Sequence, residues 1–186
     1  MRIEPSLVEV MLAAVPDLRA YAVALCGHAD RADDLVQEAL VHAIAKIDSF
    51  APGTNMAAWL STILRNHFYN EYRKRRREVA DSDGYFVATM TSQPEQEGHI
   101  QMAEFRAALA RLPDDQREAL VLVGGAGLSY AEAAAVCRCP IGTVKSRANR
   151  GRARLAELLA IESAQDLGPD RAIQAALSVG NLRWAA

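Results

Sequence analysis

The stretch LSYAEAAAVCRCPIGTVKSRANRGRARL, residues 128–155, contains the most specific pattern in the chain. Ser129 and Glu132 form the S-x-x-E pattern of a capping box, which marks the start of a helix. The Ala-rich segment that follows favours helix, and residues 137–139 supply a tight turn. Pro140 suits the first position of a second helix. The stretch therefore predicts a helix-turn-helix.

The second helix of this motif separates small apolar side chains from basic ones. Val144, Ala148, Gly151 and Leu155 recur at helical spacing, so we expect them to pack against the first helix. Residues 138–154 include six basic side chains and no acidic one. A solvated surface helix usually mixes both signs of charge, whereas Arg, Lys and Asn bond phosphates and base edges. We therefore predict DNA contact in the major groove. The candidate residues are Thr143, Lys145, Ser146, Arg147, Arg150 and Arg154.

The composition favours a helical protein. The chain has 186 residues, of which 51% are hydrophobic and 6% aromatic, and it is long enough for one medium or two small domains. Its net charge of −2 is not typical of a nucleic-acid binder. Local clusters of charge decide binding more than the sum does, so the uneven placement of the basic residues keeps DNA binding open.

Other classes of site and compartment are not supported by the sequence. Three cysteines do not make a disulfide framework, and Cys137 and Cys139 have no further ligand nearby, so we expect no metal site. We find no phosphate loop and no nucleophile paired with a base, so we expect no catalytic residue and no cofactor. No segment approaches transmembrane length and no signal peptide is present, which predicts a cytoplasmic protein without a membrane partner.

The segment DDLVQEALVHAIAKI, residues 33–47, predicts an amphipathic helix. Its expected buried stripe comprises Leu35, Ala39, Leu40, Ala43, Ile44 and Ile47. Acidic residues are concentrated in its first turn, where they complement the helix dipole. They also suit a surface that docks a partner, and the residues alone do not decide between these two roles.

A long helix is predicted at roughly 56–77, after a break at 50–53 and a cap at Thr54 or Asn55. Its expected buried side comprises Trp59, Leu60, Ile63, Leu64 and Phe68. Its far half interleaves aromatic and amide side chains and ends in five consecutive basic residues, 73–77. Aromatic rings can stack on bases while cations follow the backbone of a single strand. The alternative is a solvated helix end whose cations complement the dipole.

Residues 78–99 lose periodicity and predict a flexible linker. The expected organisation is therefore all-α, with a first helical domain over 1–77 and a second domain of four helices over 100–160. Residues 161–186 predict a loosely docked or disordered tail.

Together these stretches resemble a sigma factor of the extracytoplasmic-function type. ADDLVQEAL followed by FAPGTNMAAWLSTILRN resembles the sigma-two domain, and LPDDQREALVL followed by LSYAEAAAVC and GTVKSRANRGRARL resembles the sigma-four domain. The segments RADDLVQE, PGTNMAAWL and FYNEYRKRRRE are closer still to the EcfG branch, which directs the general stress response in alphaproteobacteria.

The resemblance implies that the protein binds core RNA polymerase, directs it to a promoter and helps to melt the −10 element. The implied polymerase-binding residues are Asp33, Asp34, Gln37 and Glu38. The loop 53–56 would capture a flipped base. The implied −10 residues are Asn55, Met56, Arg65, Asn66, Tyr69, Arg73, Lys74 and Arg76. The helix-turn-helix would read the −35 element, with a GGAAC-like sequence, and a small anti-sigma factor of the NepR type would inhibit the protein.

Two residues depart from the family pattern. Arg138 stands where Gly is frequent, and a left-handed conformation there would cost about 1 kcal/mol. Gly151 stands where Ala is usual and lowers helix propensity by a similar amount. The competing functions are a sigma mimic without DNA surfaces, a helix-turn-helix repressor that acts without polymerase, and a soluble enzyme.

Overall fold

The computed structural model describes residues 5–27, 29–80 and 97–160. Within these ranges the chain forms helices and turns and no strand, as expected of an all-α fold. The α-helices are α1 Pro5–Ala13, α2 Val15–Cys26, α3 Ala29–Ala45, α4 Met56–Ala80, α5 Glu97–Ala110, α6 Asp114–Leu120, α7 Tyr130–Cys137 and α8 Ile141–Leu158. Most of the expected linker, residues 81–96, and the expected tail, 161–186, lie outside the described residues.

Helices α2, α3 and α4 pack against one another to form the amino-terminal unit. Helix α2 ends at Gly27, which has a φ of 78° and a left-handed conformation that glycine adopts without strain. Asn55 caps α4, because its Oδ1 accepts hydrogen bonds from the amides of Ala57 and Ala58. This selects Asn55 over Thr54 as the cap.

The buried face of α3 differs in part from the expected stripe. Leu35, Ala39 and Ala43 are buried as expected, and Ala32 and Val36 join them. Leu40 is only half-buried, and Ile44 is 45% exposed and lies outside the core. The small alanines let the neighbouring helices approach α3 along a narrow line, so positions one residue to the side of that line remain in contact with water.

Helices α5 to α8 form the carboxy-terminal unit, in which α8 packs against α6 and α7. The apolar face Val144, Ala148, Gly151 and Leu155 is buried, which confirms the expected packing. The capping box at the start of α7 is also confirmed: the Ser129 amide donates to Glu132 at 2.7 Å, and the Glu132 amide donates to the Ser129 hydroxyl.

Several helix boundaries differ from the sequence-based expectation. Helix α8 begins at Ile141, and Pro140 is its N-cap. Helix α4 continues to Ala80, and α5 already begins at Glu97. Helix α6 ends at Leu120, and the chain then widens into a π-helical turn, Val121–Gly125. Adjacent glycines lower helix propensity there, and the Ala126 amide closes the turn onto the carbonyl of Val121.

The two units also pack against each other. Helix α2 contacts α6 and the π-helical turn, and α4 contacts α7. The buried side chains of both units belong to one continuous hydrophobic cluster. This contact brings the basic helix α4 of the first unit next to the helix-turn-helix of the second.

Candidate nucleic-acid interface

Helix α8 presents most of the expected −35 residues on its outer side. Lys145, Arg150 and Arg154 are exposed, and Thr143 and Ser146 are half-buried. Arg150 donates to the hydroxyl and the carbonyl oxygen of Ser146, one turn before it. Since the apolar face of α8 packs against α6 and α7, these side chains remain available for the major groove.

Arg147 is the exception on this helix. Its Nε lies 3.0 Å from Oδ2 of Asp115 on α6, and its side chain is only 28% exposed. Its Nη1 also lies 3.8 Å from Sγ of Cys139 in the turn. Arg147 therefore holds the recognition helix against α6 and the turn, in addition to any contact it makes with DNA.

The turn of the helix-turn-helix is centred on a strained residue. Arg138 has φ 54° and ψ 47°, which is the left-handed conformation considered for this position from the sequence. Its amide donates to the carbonyls of Ala134 and Ala135 and so ends α7. A side chain in this conformation is disfavoured by about 1 kcal/mol relative to glycine.

The loop expected to capture a flipped base lies at the amino-terminal end of α4. Gly53 has a φ of 85°, and the Thr54 hydroxyl donates to the carbonyl of Ala51 at 2.7 Å. Asn55 is exposed, whereas Met56 is 4% exposed and packs in the core. Asn55 caps α4 at the exposed edge of the loop, and Met56 supports the loop from the core.

This loop faces the second unit across a cleft of about 470 Å³. The cleft is lined on one side by the loop and the first turns of α4 and on the other by α7. Its lining residues are Gly53, Thr54, Asn55, Ala58, Trp59, Thr62, Glu132, Ala135 and Val136. The loop 53–56 and the first helix of the helix-turn-helix thus lie on opposite walls of one cleft.

The basic half of α4 carries the remaining −10 candidates. Arg65, Asn66 and Tyr69 are half-buried, and Arg65 lies over the Tyr69 ring at 4.6 Å. Arg73 and Lys74 are exposed, and Arg73 donates to the carbonyl of Tyr69 at 3.2 Å. The side chain of Arg76 lies outside the described residues.

Arg65 is bound by an acid of the other unit. Its Nε donates to Oε1 of Glu118 on α6 at 2.7 Å, and the hydroxyl of Tyr21 on α2 donates to the same oxygen at 2.7 Å. The side chain of Glu118 is 4% exposed and that of Arg65 is 18% exposed. We call this cluster, Tyr21, Arg65 and Glu118, the interdomain triad.

The surroundings of the triad shift the pKa values of Tyr21 and Arg65. Burial, followed by the charge of Glu118, raises the pKa of Tyr21 well above its usual value. Burial lowers the pKa of Arg65, but the hydrogen bond and charge of Glu118 outweigh it and raise the pKa overall. Tyr21 is therefore a neutral phenol and Arg65 a charged guanidinium at neutral pH.

Neither Tyr21 nor Glu118 was among the residues singled out from the sequence. The sequence signal was weak, because Glu118 stands beside Gln116 and Arg117 at the polar start of the apolar run 119–123. Only its burial in the folded chain shows that it needs a partner. A second link between the units accompanies the triad: Arg117 Nε donates to the carbonyl of Ala24, near the end of α2, at 2.7 Å.

The expected polymerase-binding residues lie on α3. Asp34, Gln37 and Glu38 are exposed, and the neighbouring Val41 is 66% exposed. Asp33 instead accepts two hydrogen bonds from Arg19 of α2, at 2.6 and 3.2 Å. Three of the four residues therefore form a solvent-facing surface, and the fourth joins α3 to α2.

Comparison with known proteins gives matches to both units. Residues 11–78 match the family model of sigma-70 region 2, and residues 102–155 match that of sigma-70 region 4. The chain is 58% identical over 177 residues to the ECF RNA polymerase sigma factor EcfG of Rhodopseudomonas palustris, covering 95% of this chain and 98% of that protein. It is 37% identical over 131 residues to the ECF sigma factor SigC of Mycobacterium tuberculosis, covering 70% and 71%.

A solved structure also resembles this fold. The sigma factor RpoE of Bartonella quintana, in complex with the anti-sigma factor NepR, superimposes with a TM-score of 0.77 at 49% sequence identity. The match covers 85% of this chain and 99% of that chain. No helix in the described part of the chain is long and apolar enough to cross a membrane.

Proposed function

Because the chain belongs to the extracytoplasmic-function sigma factors of the sigma-70 family, we propose that its two helical units divide the recognition of one promoter between them. A sigma factor binds core RNA polymerase and directs it to promoter DNA, so the protein is a transcription regulator. The observation that carries the proposal is the succession of region 2 and region 4 in one chain. We assign residues 1–77 to polymerase and the −10 element, 78–99 to the linker, and 100–160 to the −35 element.

Helix α8 reads the −35 element in this proposal. Its outer side chains reach phosphates and base edges while its apolar face is held by α6 and α7. The contacting residues are Thr143, Lys145, Ser146, Arg147, Arg150 and Arg154. Guanidinium and ammonium groups without a carboxylate partner contribute most to such binding, so exposed Arg150 and Arg154 carry more of it than Arg147, which is paired with Asp115.

Helix α4 and the loop before it hold the melted −10 strand. Asn55 and the loop take the flipped base, and Tyr69 offers a stacking surface while the cations follow the backbone. The contributing residues are Asn55, Met56, Arg65, Asn66, Tyr69, Arg73, Lys74 and Arg76. Met56 acts indirectly, by supporting the loop from the core.

The exposed surface of α3 docks on core polymerase. Asp34, Gln37 and Glu38 supply polar and acidic groups, and the exposed side chain of Val41 adds apolar area. Asp33 contributes by fixing α3 to Arg19 of α2. A surface that mixes apolar area with charge is suited to recognition of another protein.

We assign the protein to the general stress response, under the control of a small anti-sigma factor of the NepR type. This rests on the similarity to EcfG and to a sigma factor whose structure contains NepR. A cytoplasmic location follows from the need to meet polymerase and DNA. Neither catalysis nor a cofactor is part of this proposal.

The compact arrangement is the promoter-silent state. While Arg65 donates from Nε and Nη2 to Glu118, its charge is paired and fewer of its donors are left for the DNA backbone. The loop before α4 meanwhile faces α7 across the cleft. The two units must separate before the first can hold a strand. Polymerase, by binding the units at separate places, would favour the open state.

Run-off transcription with purified core polymerase and a promoter carrying a GGAAC-like −35 sequence tests the proposal. The protein should produce a specific transcript, and core polymerase alone should not. Equal transcripts in both reactions would refute the sigma function. Specific binding of duplex promoter DNA without any polymerase-dependent transcript would instead indicate a helix-turn-helix repressor.

Two variants separate the assigned roles. Arg150→Ala removes an exposed cation from α8, so it should weaken binding to −35 duplex DNA and leave polymerase affinity unchanged. Asp34→Ala removes an exposed acid from α3, so it should weaken polymerase affinity and leave −35 binding by the free protein unchanged. If both variants lost only polymerase affinity, the assignment of α8 to DNA would be wrong.

A further inference from the structure

The facing sides of α3 and α4 carry four side chains that can ligate a metal. Glu38 and His42 are one helical turn apart on α3, and His67 and Glu71 are one turn apart on α4. Residues at i and i+4 lie on the same side of a helix. The two helices run in opposite directions, since Arg31 pairs with Glu71 and Glu38 pairs with His67.

These side chains converge at the surface of the amino-terminal unit. The Glu38 carboxylate contacts Nε2 of His67. One ligand atom from each of Glu38, His67 and Glu71 lies within 4.8 Å of the others. The imidazole ring of His42 is 5.4 Å from that of His67, measured between ring centres. Two carboxylates and one imidazole thus meet around a small volume open to solvent, with the ring of His42 beside them.

We propose that Glu38, His67 and Glu71 form a binding site for a divalent transition metal, with Zn²⁺ as the best fit. Imidazole nitrogens and carboxylate oxygens are ligands that Zn²⁺ accepts at about 2.0–2.2 Å. Ligand atoms around a tetrahedral ion at that distance lie roughly 3.4 Å apart. A separation of up to 4.8 Å therefore has to close by up to about 1.4 Å, which rotation of the glutamate side chains provides.

The charges around the site favour a dication. Glu38 and Glu71 bring two carboxylates to one imidazole, and Arg31 is the cation that balances Glu71, with its Nη2 at 3.3 Å. That ion pair is about one-third exposed, so it contributes little to stability. A metal ion replaces Arg31 at Glu71 and at the same time neutralises Glu38, whose carboxylate contacts the imidazole of His67.

An ion bound here joins α3 to α4 and should raise the melting temperature of the protein, because it binds the folded state alone. Glu38 is also one of the residues that we assign to polymerase docking. If that proposed function holds, the ion changes the charge of the docking surface and makes polymerase affinity sensitive to metal. The site itself does not depend on that assignment.

Titration of the full chain with Co²⁺, followed by its d–d absorption, and with Zn²⁺, followed by calorimetry, tests the site without polymerase or DNA. One ion per chain should bind with nitrogen and oxygen ligands. His67→Gln and Glu71→Gln should each weaken binding on the order of tenfold or more, with unchanged circular dichroism. Arg31→Gln should strengthen it, because Glu71 is then free.

Asp30→Asn is the matched control, since it removes an exposed acid from the first turn of α3, the helix that carries Glu38. It should leave metal affinity unchanged. The proposal is overturned if His67→Gln binds metal as the wild type does, or if Asp30→Asn weakens binding as much as Glu71→Gln. A Co²⁺ spectrum dominated by thiolate charge transfer would also overturn it, because it would place the ion at a cysteine.

Discussion

Replacing Glu118 by glutamine should shift the protein from the compact arrangement to one in which the two units are separated. The substitution keeps the shape of the side chain but removes the charge that Arg65 faces at 2.7 Å and that Tyr21 bonds at 2.7 Å. Hydrogen bonds to charged groups contribute about 1.5–3 kcal/mol each. Breaking a fully buried ion pair costs about 3–5 kcal/mol.

The free energy that Glu118→Gln costs the compact state is smaller than that of breaking a fully buried ion pair. The Arg65 side chain is 18% exposed, so it can turn towards water when its partner changes. We therefore expect a loss of about 2–3 kcal/mol. In the separated units, water would solvate the glutamate or its glutamine replacement without constraint, so this loss applies to the compact state alone. Since each 1.4 kcal/mol is a factor of ten, the ratio of open to compact protein should rise roughly thirty- to a hundredfold.

Small-angle scattering of the free protein measures the change directly, as an increase in the radius of gyration. Release of Arg65 should also strengthen binding of a single-stranded −10 oligonucleotide. Tyr21→Phe removes only one hydrogen bond and should produce a smaller shift, of about 1.5 kcal/mol, the lower end of the range for a bond to a charged group. Glu104→Gln, which changes an exposed acid on α5, should leave both measurements unchanged.

The reasoning is refuted by one specific combination of results. If Glu118→Gln lowers the melting temperature but leaves both the scattering profile and the oligonucleotide affinity as in the wild type, Glu118 stabilises the fold without controlling the separation of the units. The same conclusion would follow if Glu104→Gln changed the scattering profile and the oligonucleotide affinity as much as Tyr21→Phe does.

Three further outcomes concern stability. Arg138→Gly should raise the free energy of unfolding by about 1 kcal/mol in denaturant titrations, because φ is 54° there, whereas Ala131→Gly on the same helix should lower it by about as much. Gly142→Ala should raise the melting temperature by stabilising α8, since the added Cβ meets no atom within 4 Å. Gly151→Ala should give no such increase, since its Cβ would lie 3.2 Å from a backbone carbonyl oxygen. A higher melting temperature for both variants would contradict this. Burial raises the pKa of Cys137 to about 12, so the thiol ionises at lower pH in the unfolded chain than in the folded one. The free energy of unfolding should therefore fall as pH rises from about 9 towards 12. In Cys137→Ala that part of the pH dependence should be absent.

Much of the fold followed from local patterns. The capping box at Ser129, the glycine that ends α2 and the buried face of α8 are set by interactions within four residues along the chain. The unusual Arg138 was recognisable for the same reason, because the end of a helix commonly needs a left-handed residue. Gly151 was only partly understood: its place on the buried face was predicted, but the backbone of α6 next to it was not.

The sequence by itself determined two all-α units, with a basic helix in each and a helix-turn-helix in the second, since helical periodicity and caps are local properties. Only the tertiary structure decided which charged side chains are already engaged. Glu118 lies 53 residues from Arg65 and 97 from Tyr21, so no local pattern connects them. Glu38 and His67 meet for the same reason, across two packed helices. Long side chains find their partners through packing, which is why the triad and the proposed metal site emerged from the structure alone.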